Sequence, residues 1–126
     1  MRADSGARDV RDRYIDAAVL ALAKVAVSLW VLRLGFSHVS DDDFARTVIA
    51  QTFAAAPKLD PSGTSWLPLP FWLTGGAMML LGRSIAVARG VAIALAALSA
   101  GGLYLSARDA EVPRLPAVVG TLLGLA

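Results

Sequence analysis

Apolar residues in this chain gather into long runs broken by short polar stretches. The first run covers residues 15–36, the second 67–81 and the third 85–105; a fourth begins at Leu115 and is still apolar at Ala126. Crossing the hydrocarbon core takes roughly 20 apolar residues at 1.5 Å each. The pattern therefore predicts an all-α polytopic membrane protein with three transmembrane helices and a partial fourth. Pro68, Pro70, Gly75 and Gly76 make the start of the second run irregular, and its helix is expected to begin around Leu69 or Pro70, because proline is tolerated in a first turn. Gly82, Arg83 and Ser84 then form a tight connection that makes a helical hairpin with the third run. The last run is about half a crossing length, so the chain reads as a piece of a longer protein.

The polar intervals complete the division. Residues 1–14 form a polar N-terminal segment, 15–36 the first span, 37–66 a long loop, 67–105 the hairpin of spans, and 106–126 a loop with the start of the fourth span. Within the long loop, Phe44, Val48, Ile49 and Phe53 recur at helical spacing, with Arg46, Thr47 and Gln51 between them. This predicts a short amphipathic helix, lying on the membrane surface or packed on other parts of the protein. It must end before Pro57, and Asp60-Pro61-Ser62-Gly63 is a turn signal.

Composition strengthens the lipid reading. Of 126 residues, 56% are hydrophobic and 17% charged, and the mean hydropathy is +0.60. A soluble chain this short would bury about two-thirds of its surface, leaving stretches such as 91–98 and 118–125 in water. The formal charge is only +2 and the arginines are scattered, which excludes the dense basic stripe of a nucleic-acid binder. There is no cysteine, so disulfides, thiolate metal sites and cysteine nucleophiles are excluded.

Charge also sets an expected orientation. Arg2, Arg8, Arg11 and Arg13 precede the first span, and the positive-inside rule makes that end cytoplasmic, in a multi-pass protein of the cell inner (plasma) membrane whose first span is a retained signal anchor. By alternation, 37–66 lies outside, 82–84 inside and 106–114 outside, with Arg108 and Arg114 weakening the bias. Trp30, Trp66 and Trp72 fall near span ends, as interfacial anchors do. Lys24 and Arg33 sit within the first span; Lys24 either snorkels along its alkyl stem or faces a polar cavity or an acidic partner.

The unusual chemistry lies in His38-Val39-Ser40-Asp41-Asp42-Asp43-Phe44-Ala45-Arg46. Ser40 as N-cap with Asp43 at the third helical position makes a capping box, and first-turn acids complement the helix dipole. Three adjacent carboxylates also repel one another, a cost that a catalytic role or a bound cation would relieve. A carboxylate so held can act as general base or bind a hard divalent cation, for which Asp42 and Asp43 are the expected ligands. His38 is either a further ligand or a hydrogen-bonded bystander. Thr64, Ser65 and Trp66 either shape a sugar or headgroup pocket or form a plain loop with an interface anchor.

The order of these features resembles the N-terminal part of GT-C-type membrane glycosyltransferases, the superfamily that includes protein O-mannosyltransferases and aminoarabinose transferases. There the first external loop commonly begins with Asp-Asp or Asp-Glu followed two residues later by an aromatic, as in Asp41-Asp42-Asp43-Phe44, and a stretch like Thr64-Ser65-Trp66-Leu67 follows the surface helix. The resemblance implies transfer of a sugar from a polyprenyl-phosphate carrier to an acceptor on the extracytoplasmic side. It also implies Asp41 as the base with Asp42 supporting it, Asp43 staying in play because the run of three leaves the register open by one. Arg46, Ser65 and Trp66 are the implied substrate contacts, with Arg46 nearest the carrier phosphate. Family members carry further spans, so this chain would be inactive alone. The alternative is a non-enzymatic scaffold or subunit whose small residues, Gly75, Gly76, Gly101 and Gly102, pack against partner helices. A transporter fragment is a third, suggested by Lys24, Arg33 and Arg89.

Overall fold

The computed structural model describes residues 2–63 and 65–124, with side chains described from Asp9 onward. Among these residues the structure is all helical, without a strand: α1 Arg2–Arg33, α2 Asp41–Ala55, α3 Leu69–Leu81, α4 Ile85–Asp109 and α5 Arg114–Gly124. Thr64 and the last two residues of the expected fourth span, Leu125 and Ala126, lie outside the described residues. The chain divides into two compact units, one of Met1–Gly35 with Ile93–Ala126 and one of Phe36–Ala92. Their boundary falls within α4.

In the first unit, α1 runs unbroken from the polar N-terminal segment through the first apolar run. An Asp9–Arg13 pair at 2.7 Å, one turn apart, stabilises the polar part. Gly35, at φ +90°, ends the helix by bonding its N–H to the Leu32 carbonyl at 3.1 Å, a left-handed conformation that glycine adopts without steric cost. Ala17, Leu20, Tyr104 and Ala117 form the small core. There a Cβ built on Gly101 would lie 3.4 Å from the Ala17 carbonyl oxygen, so α1 and α4 approach closely. The contacts along the pair run Asp9 to Arg108, Arg13 to Asp109, Asp16 to Tyr104 and Ala17 to Gly101, which is antiparallel. After α4, Glu111 takes a left-handed φ of 62°. The Glu111 N–H bonds the Arg108 carbonyl at 3.1 Å and the Val112 N–H the Ala107 carbonyl at 3.0 Å, the paired bonds of a Schellman cap.

In the second unit, α2 and α3 pack against each other along Ala50, Phe71, Gly75 and Met78, all buried. Gly75 lets the backbones close: a Cβ there would fall 2.5 Å from the Phe53 ring and 2.9 Å from the Ala50 carbonyl oxygen. Pro70 lies in the first turn of α3, as its fixed φ allows. α2 ends at Ala55, ahead of Pro57. Asp60 Oδ1 accepts from the Gly63 N–H at 3.0 Å and the Ser62 hydroxyl at 3.2 Å, closing the expected turn.

Two helices are long and apolar enough to cross a membrane, over Asp9–Arg33 and Ile85–Asp109, with mean hydropathies of 2.0 and 1.7 and little of either buried. α3, at 13 residues, reaches only about 20 Å, short of a core of about 30 Å. Of the expected three spans and a partial fourth, two are helices of crossing length among the described residues, and α3 and α5 are shorter apolar helices. Two contacts bear on the expected alternation of sides. Gln51 in α2 donates its side-chain amide to the Arg83 carbonyl at 3.1 Å, which sets the 82–84 connection beside the loop helix. Arg114 and Asp16 are joined by a direct ion pair, which sets 106–114 beside the start of the first span. Alternation assigns opposite sides to both of these pairs.

Candidate functional site

Ser40 caps α2 with extended backbone at φ −69° and ψ 161°. Its Oγ accepts from the Asp43 N–H at 3.2 Å and donates to Asp43 Oδ2 at 2.8 Å, so cap and third helical residue engage each other. This accounts for Asp43. Asp41 and Asp42 occupy the first two helical positions, where free N–H groups favour negative charge. Both are exposed, and among the described residues neither carboxylate has a hydrogen-bond or ion-pair partner.

Arg46 lies one turn on from Asp42 and so on the same side of α2. Its guanidinium sits 5.5 Å from the centre of the Trp66 ring, a cation–π contact. Trp66 in turn stacks on Phe71 of α3, with ring centres 6.0 Å apart and planes 21° apart. The Pro68 carbonyl, bonded by the Phe71 and Trp72 N–H groups, fixes where α3 starts and hence where Phe71 stands. The structure thus brings Arg46 and Trp66 together on a two-ring platform. A guanidinium over an indole can still present its N–H edge to a phosphate or carboxylate.

The other expected residues are placed differently. Ser65 is exposed and has no hydrogen bond among the described residues, and His38 is exposed ahead of the cap. Among the described residues no three His, Asp or Glu side chains gather as a metal site, so Asp42 and Asp43 gain no third ligand from the fold. A cavity of about 470 Å³ lined by Ala54, Ala55, Met78, Met79, Gly82 and Arg83 lies at the far end of α2 from the aspartates. Lys24 is half-buried on α1.

Sequence reading missed two features. Phe71 counted only as part of an apolar run, although an aromatic five residues after Trp66 across two prolines was a signal for stacking. The second is a polar cluster in the first unit. Asp16, with its side chain 15% exposed, accepts from Arg114 Nε at 2.7 Å and Nη2 at 2.6 Å and from the Tyr104 hydroxyl at 2.7 Å. Beside it Arg108 reaches Asp9 at 3.5 Å and the Val112 carbonyl at 3.0 Å. A carboxylate two residues into an apolar run needs a partner, and that was the available signal.

Compared with protein-family models, with curated proteins and with solved structures, the chain matches none.

Proposed function

We propose that this chain is the acceptor-activating part of a membrane glycosyltransferase of the GT-C type, held in the plasma membrane with its N-terminus cytoplasmic and the α2 motif on the extracytoplasmic side. The observation that carries the reading is the division of labour at the start of α2. Asp43 is taken up by the Ser40 cap, while Asp41 and Asp42 point free carboxylates from a helix end whose direction is set, one turn from the Arg46–Trp66–Phe71 stack. Asp41 takes the proton from an acceptor hydroxyl or amine. The freed electron pair attacks the anomeric carbon, and the bond to the carrier phosphate breaks on the opposite face with inversion. Arg46 supplies positive charge for the departing phosphate, and Trp66 with Ser65 lines the sugar. A divalent cation, where one is used, would share oxygens of Asp42.

The test is transfer from a polyprenyl-phosphate sugar by the protein as its reading frame encodes it, reconstituted in lipid. Asp41→Asn is expected to lower transfer by about 10²- to 10⁴-fold, the scale of a lost general base, with the carrier still bound. Unchanged transfer removes Asp41 from the mechanism. The scaffold reading draws on a different observation: the apolar surfaces of Leu22, Val27, Leu95 and Leu98 stay exposed on α1 and α4, ready for lipid or for other helices. It predicts no transfer from either form of the protein.

A further inference from the structure

We propose that Trp66 is a positioning residue: by taking the Arg46 guanidinium onto its ring, it keeps Arg46 from pairing with Asp42 and leaves the carboxylates at the start of α2 uncompensated. This concerns residues of the proposed site but does not need the transferase reading.

Asp42 and Arg46 stand four residues apart on α2, the acid on the N-terminal side. That is the spacing and the order in which a helical ion pair forms most readily. The same chain forms one elsewhere: Asp9 and Arg13, also acid first and four apart, pair at 2.7 Å on α1. Among the described residues no such bond joins Asp42 to Arg46. The Arg46 guanidinium lies instead 5.5 Å from the centre of the Trp66 ring. Asp43, the other acid within reach on this side of the helix, is taken up by the Ser40 hydroxyl at 2.8 Å.

The ring is what distinguishes the two arginines. No cation–π contact involves Arg13 among the described residues, whereas Trp66 is held beside α2 by residues outside that helix. Its ring stacks on Phe71, which is 3% exposed in the first turn of α3. The close packing of α3 on α2 at Gly75 and Ala50 sets where that platform stands relative to Arg46. At an exposed position a cation–π contact and a helical ion pair are close in strength, with the ring ahead by a small margin. The guanidinium therefore goes to the ring where the fold supplies one and to the carboxylate where it does not. On the ring Arg46 keeps its charge and its N–H edge; paired with Asp42 it would neutralise the carboxylate and turn that edge inward. The result is a cation and two carboxylates held about one turn apart without cancelling.

The test reads Arg46 directly and involves no transfer assay. The protein is labelled with ¹⁵N-arginine and studied by NMR in lipid nanodiscs, and Arg46→Lys identifies the Arg46 side-chain signal. In the unaltered chain the Arg46 Nε proton is expected upfield, in the ring current of Trp66, and unmoved by Asp42→Asn. In Trp66→Leu the upfield shift should be lost, and the signal should move downfield by an amount that adding Asp42→Asn removes. Trp66→Phe, which keeps a ring, should restore both the upfield shift and the indifference to Asp42→Asn. Backbone amides of α2 report whether each variant keeps the helix. An Arg46 signal that moves with Asp42→Asn in the unaltered chain overturns the proposal without any change at Trp66, because the pair would already exist. An Arg46 signal in Trp66→Leu that ignores Asp42→Asn also overturns it, because something other than the ring would be keeping the two apart.

Discussion

Ser40 and Asp16 are each polar residues next to apolar runs, yet only one could be interpreted locally. Ser40 acts on the residue three places on, so its cap is a matter of sequence spacing. Ser40→Ala should cost about 1 kcal/mol of local helix stability, read as faster hydrogen exchange at the first amides of α2 with exchange in α1 unchanged. Asp16 acts on residues 88 and 98 places away. Its two-pronged pairing with Arg114 is half in solvent on the arginine side, 68% exposed, which limits its strength. Asp16→Asn combined with Arg114→Gln in a double-mutant cycle should give a coupling of about 1 to 2 kcal/mol, measured by unfolding in mixed micelles. A coupling near zero would mean that the two side chains act independently. The Ser40–Asp43 capping box was legible in the spacing, and the structure forms it; which of the three aspartates is spare for chemistry was not legible from the run itself.

At the scale of elements, the starts and ends of α2 and α3 follow from Ser40, Pro57, Pro70 and Gly82 as local rules require. Which element pairs with which does not. Gly75 and Gly76 look equivalent in sequence, but Gly75 faces the Ala50 carbonyl and Phe53 while Gly76 faces open space. Gly75→Ala should destabilise the packing of α2 on α3 by about 1 to 3 kcal/mol, because a backbone oxygen cannot step aside. Gly76→Ala should be neutral or slightly stabilising, since alanine favours the helix. Equal effects of the two in thermal unfolding would show that α2 and α3 do not pack through Gly75. The amphipathic helix expected from the spacing forms as α2; the sequence left open whether it lay on a membrane surface or packed on the protein, and could not name α3 as the helix that covers its Ala50 side.

For the whole molecule, two helices of crossing length are the feature on which the rest depends. Leu98, 72% exposed near the middle of α4, should tolerate charge poorly if that helix is in lipid. Leu98→Arg should cost about 2.5 to 3.5 kcal/mol of insertion free energy, seen as a fall in carbonate-resistant membrane protein. Leu59→Arg, in the exposed connection after α2, should leave integration unchanged. Equal integration of both would argue that α4 is not a span. Alternation counts every apolar run as a crossing, whereas α3, at 13 residues, rises only about 20 Å against a hydrocarbon core of about 30 Å.

What the sequence determined by itself is the helical class, the apolar runs, the caps and breaks, and the acidic motif ahead of α2. Each depends on residues within a few positions of one another, and backbone hydrogen bonds in lipid leave helices as the only local solution for such runs. Tertiary structure alone decided which runs pair, which polar groups meet and which connections share an end of a helix pair. Those outcomes depend on contacts such as Asp16 with Arg114, Gln51 with Arg83 and Arg46 with Trp66, between residues 20 to 98 positions apart. No local periodicity carries that information, because packing selects among many arrangements that satisfy the same hydrophobic pattern.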